Sequence, residues 1–461
     1  MLKIVILIIL GQTLVDCENP GVIYTFDPAV LINPLAQIAR YSQSEDLPIG
    51  KSKSTFKGMG GFLQSFSISN AKVSVNSPYV GNCTLTPNGD NTFKIDILSS
   101  LSSEKCNGVR KYFYLIPWLI SPIMYNTNGI QYGLDVFFYL TNQSTIGVDI
   151  MGGNYMGITY NNYGLYSKTP FIDTDIVSEY PKWMEEISLK LYKEAIQVFT
   201  PSLLANSYLK YFKIYLNSLR KYHNITKTAS FDYRPLSAPK FINGKVFTVP
   251  LVGKAVYNHI NQSYSITEEL PRYDPQFEYP IQVFVSKSSF NGMLEAMYLS
   301  GSFDIKTNLT NVNIDSIQCK VTAKPVAQFI EGPELSAPIA CEITNGTGLL
   351  IFNTVANVEL VQTGFYDLYF NISNYGISEV KITKQENIDV HEIVSLVPQI
   401  LATLVEAVNN VTIKNEYPSP FPYCVDMRRP KAVFTSDYMK IGYNSTGWYS
   451  CYFPTDEKAV D

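Results

Sequence analysis

Histidine is nearly missing from this chain: His223, His259 and His391 are the three in 461 residues. No CxxC, no HExxH and no GxSxG is present. Thiolate-and-imidazole metal centres and the common hydrolase sites need those groupings, so neither chemistry finds support. His391 stands beside Asp389 and Glu392 where an amphipathic stretch begins, the place of a helix-terminus residue rather than of a base. Glu185-Glu186 and Glu268-Glu269 read as exposed faces. A glycosidase-type pair stays open, because its carboxylates are defined by their distance in space. No enzyme, no metal and no cofactor is expected.

Charge is scarce as well, at 16% of residues with a net −4 and no long block of either sign. A nucleic-acid partner needs a basic face, so none is expected. After the first residues no apolar run reaches the roughly 18 needed to span a bilayer. The richest, Tyr112–Met124, is broken by Pro117 and Pro122. The mature chain is therefore expected to be soluble. Tryptophan (3) is rare while tyrosine (33) and phenylalanine (25) are plentiful, which favours sheet.

The beginning, MLKIVILIILGQTLVDC, has the anatomy of a secretory leader: Lys3, an apolar run from Ile4 to Leu10, then small and polar residues. Val15 and Cys17 suit a cleavage site after Cys17, giving a signal peptide over 1–17; an uncleaved anchor or a buried strand is the alternative. Of seven cysteines, six then remain. Cys83/Cys106, Cys319/Cys341 and Cys424/Cys451 form couples separated by 23, 22 and 27 positions. Six allow 15 pairings; sequential bridges, each contributing on the order of 3 kcal/mol, are expected. Sequons at Asn142, Asn224, Asn261, Asn308, Asn345, Asn371, Asn410 and Asn444 suit a secreted glycoprotein. Asn82 also stands in a sequon but is expected to be the least used, because its middle residue is Cys83.

Period-two alternation dominates, as in Thr92–Ile97, Ser302–Leu309 and Tyr366–Ser373, and predicts antiparallel sheet. Four stretches change to helical spacing. Asp27-Pro28 starts the first, with Leu31, Leu35 and Ile38 on one face and Pro34 expected to kink or shorten it. The second spans Pro181 to about Tyr222, first through Trp183, Ile187 and Leu191, then through Tyr208, Phe212 and Tyr215. Ser286 caps the third, with Phe290, Leu294 and Met297, ending near Gly301. The fourth, from Asp389 to about Asn410, carries Ile393, Val397, Ile400 and Leu404. The order strand, short helix, strands, long helix thus occurs twice. Residues 18–228 and 252–461 are expected to be two similar halves, joined by a connector with strand-like pieces over 229–251.

Several segments resemble the family of bactericidal/permeability-increasing, lipopolysaccharide-binding and phospholipid and cholesteryl-ester transfer proteins. They are Asn19–Val22 with its following helix, Phe66–Asn70, Tyr233–Leu251, Val283–Ser300, and Val397–Pro422 with Tyr438–Asn444. The resemblance implies an α+β fold: two similar barrels of curved antiparallel sheet with apolar-faced helices, joined by a central sheet into a boomerang. It implies phospholipid-like acyl chains as ligand, one apolar pocket per barrel, in a secreted monomer that binds lipid, with transfer between membrane surfaces as an extension of that role. The lining would come from Leu31, Leu35, Ile38, Trp183, Ile187 and Leu191 in the first half. In the second it would come from Phe290, Leu294, Met297, Ile393, Val397, Ile400 and Leu404.

Two departures stand out. The family's disulfide between a first-barrel strand and its long helix has no counterpart, since no cysteine lies between Cys106 and Cys319. A cationic tip for lipopolysaccharide is reduced to Lys51, Lys53 and Lys57 in an apparent loop. A lipopolysaccharide-binding role in innate immunity, and a structural or adhesion glycoprotein without lipid, are the alternative readings.

Overall fold

The computed structural model describes residues 19–42, 47–49, 52–57, 63–74, 79–112, 116–164, 205–257, 260–261, 265–302, 304–307, 317–321, 324–330, 334–343, 348–362, 368–383, helical positions between 391 and 409, and 428–445. Two compact units emerge, and they are not the contiguous halves expected. One gathers Met1–Val30, Leu140–Thr145 and Leu219–Trp448; the other takes Leu31–Tyr139, Ile146–Ser218 and Tyr449–Asp461. The described helices are α1 (Pro28–Ser42), α2 (205–217), α3 (Lys287–Leu299) and α4, described at the helical positions 391, 395, 397–399, 401–403, 405–406 and 409.

The first unit is organised on a six-stranded sheet. Its order is β11 (Lys240–Ile242), β12 (Val246–Leu251), β1 (Val22–Phe26), β15 (Ile281–Ser286), β23 (Tyr438–Asn444) and β22 (Arg428–Phe434). All neighbours are antiparallel. The order reads alike from both ends: a hairpin, a strand, a strand, a hairpin. At its centre Val22 faces Val285, Tyr24 faces Val283 and Phe26 faces Ile281. Each central strand runs directly into its helix, β1 through Asp27 into α1 and β15 through Ser286 into α3. The internal doubling therefore appears as a local two-fold relation between β1 and β15. Two of the three strands in the connector 229–251 complete this sheet.

Both central strands are buried along their whole length, which requires cover on both faces. Tyr24, Phe26, Val249, Ile281, Val283 and Ile441 make one face wholly apolar. The other contains Thr25 and Gln282, and residues 265–280 lie across it. Thr25 Oγ1 donates to the Arg272 carbonyl at 2.5 Å. Gln282 accepts from the Asp274 N–H at 2.9 Å and donates to the Asp274 and Phe277 carbonyls. Lys440 pairs with Asp274 at 2.8 Å. Burial alone would raise the Asp274 pKa; Lys440 and the Gln276 and Phe277 N–H groups outweigh it and hold the carboxyl below its usual value. Gly442 leaves room for the rings above it: a Cβ there would lie 2.8 Å from Phe277 and run into Tyr279.

A four-stranded sheet follows, in the order β14 (Ile260–Asn261), β13 (Lys254–Tyr257), β10 (Ala229–Asp232) and β9 (Tyr222–Asn224). Ala296 of α3 packs on Ala229 and Ala255, small residues that let helix and sheet approach closely. His223 on β9 stands opposite Phe231 and is buried. Burial, with the Arg220 charge adding to it, pushes its pKa down to about 4. Between pH ~6.5 and ~4 the unfolded chain therefore binds a proton that the folded chain refuses. Stability is expected to fall as pH drops through that window, by up to about 3 kcal/mol. Urea unfolding of the parent and of His223→Leu across pH 7 to 4.5 checks this: the variant's curve should be flatter, and parallel curves would refute it.

The remaining sheet of this unit runs β16 (Asp304–Thr307), β17 (Ile317–Val321), β19 (Glu334–Ile343), β20 (Gly348–Gln362) and β21 (Leu368–Thr383), with β18 (Gln328–Phe329) on β19. The second unit has one seven-stranded sheet. Its path is β2 (Leu47–Ile49), β4 (Leu63–Ser74), β6 (Thr92–Tyr112), β7 (Ile116–Leu140) and β8 (Ile146–Gly164). β3 (Ser52–Lys57) pairs with β4, and β5 (Tyr79–Pro87) with β6. Phe93, Ile95 and Ile97 are buried on β6 while Lys94 and Asp96 pair on its other face, as the alternation predicts. The class is thus α+β with antiparallel sheets and few helices. Among the described residues neither of these two large sheets closes on itself into the expected barrel.

Candidate lipid-binding faces

The second unit presents α1 and α2. The Asp27 carboxylate accepts from the Ala29 N–H at 2.8 Å and caps α1. The helix continues through Pro34 to Ser42 without a break, so the expected shortening does not occur. Leu35 and Ile38 are buried and Leu31 is half-buried. Along α2, Tyr208, Phe212 and Tyr215 are buried, and rings continue the stripe onto the sheet. Tyr208 meets Phe212 at 5.8 Å, Phe212 meets Phe138 edge-on at 5.8 Å, and Phe138 stacks on Phe93 at 5.1 Å. The two helices are joined by polar tips: Tyr208 donates to the Leu35 carbonyl at 3.4 Å and Ser207 to the Ser42 carbonyl at 2.9 Å. Trp183, Ile187 and Leu191 lie outside the described residues.

In the first unit, Ser286 caps α3 by accepting from the Ser289 N–H at 3.0 Å. The helix ends as expected: Gly301 is left-handed at φ 73°, Ser302 N–H reaches Met297 O and Gly301 N–H reaches Tyr298 O. Phe290 and Met297 are buried, but the ring of Phe290 is enclosed by Phe329 at 5.3 Å and Phe434 at 6.4 Å. Leu294 sits half-buried at the margin, and Met293 and Ala296 take the inner positions. Along α4 the buried line is Val397, Leu401 and Val405, at a strict spacing of four. Leu401 and Val405 are legible in the sequence as the i+4 continuation of Val397, whereas the expected line ran through Ile400 and Leu404. The side chains of Ile393, Ile400 and Leu404 lie outside the described residues. Asn409 ties the helix to β21, accepting from the Ile372 N–H at 2.9 Å and donating to Asn371 Oδ1 at 3.1 Å.

Among the described residues these faces are mainly apolar and aromatic, and the Ser207 and Tyr208 hydroxyls on α2 are hydrogen-bonded. Such surface suits an acyl chain, whose burial gains about 0.8 kcal/mol per methylene and asks for no polar partner. Among the described residues no group of three His, Cys, Asp or Glu could hold a metal ion, and no helix is long and apolar enough to cross a membrane.

The cysteine couples fare unevenly. Cys83 is a buried free thiol, raised to about 12 by desolvation and by Asp96. Its expected bridge to Cys106 is corrected by the register. Cys83 faces Ile97 across the hairpin, whereas Cys106 faces Ile123 nine residues further along β6, roughly 30 Å away at strand rise. A disulfide needs Cα atoms within about 7 Å. Cys319 and Cys341 lie on the adjacent strands β17 and β19, where Val321 faces Cys341. Cys424 and Cys451 lie outside the described residues. Lys53 and Lys57 belong to strand β3 rather than to a loop, and Lys51 is outside the described residues.

Asn142, Asn224 and Asn444 are exposed, as is Asn82, while Asn371 is half-buried. Asn261 is described as backbone in β14; Asn308, Asn345 and Asn410 lie outside the described residues.

No family model and no curated protein matches the sequence. Comparison of folds does find relatives in shape. A crystal structure of lipopolysaccharide binding protein matches with a TM-score of 0.58 at 12% identity, covering 92% of this chain and 98% of that one. P47 from Clostridium botulinum A2 aligns over 92% and 97% at 10% identity, but its TM-score of 0.33 is too low to carry an argument. At 12% identity the first likeness shows a shared fold.

Proposed function

We propose that this chain is a secreted lipid-binding protein that holds phospholipid-like acyl chains against the apolar helix faces of each unit. The observation that carries the reading is the fold shared with lipopolysaccharide binding protein over nearly the full length of both chains. The apolar lines on α1 and α4 and the aromatic stripe on α2 support it. The role is binding rather than catalysis, by a monomer, with transfer of lipid between membranes as its natural extension. Lipopolysaccharide itself is the less favoured cargo, given the net charge of −4.

Native mass spectrometry and solvent extraction of the purified protein provide the test. Stoichiometric phospholipid is expected. Its absence, together with no uptake of a fluorescent phospholipid from vesicles, would refute the proposal. Endotoxin is a separate arm at physiological salt, where weak surface attraction is screened; failure to bind it leaves the phospholipid reading intact.

A further inference from the structure

The sequons are distributed unevenly over the sheets. Asn82 lies on β5, which among the described residues pairs along one side only, with β6. Asn224 and Asn261 lie on β9 and β14, the two outer strands of the four-stranded sheet among the described residues. Asn371 lies on β21, an outer strand of its sheet. Of the sequon asparagines within described strands, Asn444 alone belongs to an inner one, and it is that strand's last residue.

Outer strands present unpaired backbone N–H and C=O groups that invite edge-to-edge association, and folded proteins must blunt them. Two of these asparagines also stand beside an exposed apolar side chain on their own face. Asn82 is directly opposite Leu98, 39% exposed. Asn224 is two residues from Tyr222, 46% exposed, with His223 between them pointing inward.

We infer that Asn82, Asn224 and Asn261 are N-glycosylation sites whose glycans shield the open edges of β5, β9 and β14 and the apolar side chains beside Asn82 and Asn224. The inference rests on the secretory part of the proposed function. The carboxamide Nδ2 forms a bond to the anomeric carbon of an oligosaccharide carried on a polyprenyl diphosphate. The sugar–diphosphate C–O bond breaks, Nδ2 loses one proton, and the lipid diphosphate leaves. Cys83, the middle residue of the Asn82 sequon, is buried as a free thiol and leaves Asn82 and Thr84 both exposed. Asn371 is the exception. Its carboxamide is engaged by Asn409, which also bonds the Ile372 backbone, so a protein side chain already covers that edge.

The test uses the full chain secreted from a eukaryotic line under its own leader, with glycopeptide mapping and light scattering. Glycan is expected at Asn82, Asn224 and Asn261, and Asn371 should be bare. N82Q/N224Q should shift from monomer to concentration-dependent oligomers, as should the folded parent after enzymatic deglycosylation. N142Q/N444Q should stay monomeric. Glycan at Asn142 and Asn444 with bare Asn82 and Asn224 would overturn this inference and leave secretion standing. No glycan at any sequon would overturn both. Full occupancy with an N82Q/N224Q variant that stays monodisperse would refute the shielding role.

Discussion

Gly253→Val is expected to destabilise the first unit by about 2–5 kcal/mol, combining the left-handed penalty of a side chain with the cost of overpacking. Gly253 sits at φ 65°, and a Cβ there would lie 2.6 Å from the Gly21 carbonyl carbon and 2.7 Å from the Val22 nitrogen. Those are backbone atoms and cannot swing aside. The conflict is mutual, since a Cβ on Gly21 would come 2.6 Å from the Gly253 oxygen. The contact matters because the Pro20-Gly21 corner is bonded on every side. Gly21 N–H donates to Val252 O at 3.1 Å, and Gly21 O accepts from Ser286 N–H at 2.9 Å and from Ser289 Oγ at 3.1 Å. Moving Gly21 away would loosen the start of β1 and the cap of α3 together. Gly244→Ala is the control: its φ is also 65°, but nothing lies within 4 Å of its Cβ. It should cost the backbone penalty alone, about 1–2 kcal/mol. Equal urea midpoints for the two variants would refute the steric account.

Arg234→Met is expected to cost about 3–5 kcal/mol, the usual penalty for leaving a buried charge without its partner. Asp232 is fully buried, and Arg234 grips it with Nε at 3.0 Å and a terminal nitrogen at 2.7 Å. The Arg234 N–H adds a bond at 2.9 Å, and the guanidinium lies 5.4 Å over the Tyr222 ring. Asp232→Asn/Arg234→Met should recover part of the loss, because no unpaired carboxylate then remains. A double variant as unstable as the sum of the singles would show that the pair is not coupled. Gly253 N–H donates to the Asp232 carbonyl at 2.9 Å, so the Gly253 and Arg234 substitutions act on one corner and should not add independently.

The elements with their own local signal were read well. Asp27-Pro28, Ser286 and Gly301 mark helix ends by capping chemistry that needs nothing from the rest of the chain. The alternation of Thr92–Ile97 states its buried face outright. The misreadings occurred where the answer depends on a partner. Cys83 and Cys106 are near in sequence, yet a hairpin carries Cys83 to Ile97 and leaves Cys106 far along the same strand. Lys53 and Lys57 stand in the Gly-containing stretch Gly50–Gly61, which reads as a loop; pairing with β4 supplies the strand. Pro34 lacks an amide hydrogen, but packing kept α1 going.

The sequence by itself determined the alternation of strands such as Thr92–Ile97, the capped helix starts at Asp27 and Ser286, that the strand-into-helix step occurs twice, and that no CxxC, HExxH or GxSxG is present. Those properties reside in a few consecutive residues, in capping, period and composition. Only the tertiary structure decided that the two copies meet as β1 beside β15, which strands of 229–251 join their sheet, and which sequons lie on outer strands among the described residues. Register and adjacency come from residues hundreds of positions apart, and one strand pattern is compatible with many partners. The Pro20-Gly21 corner shows the difference. Its turn is legible from two letters, whereas its need for Gly253 and for the cap of α3 appears only when the backbones touch.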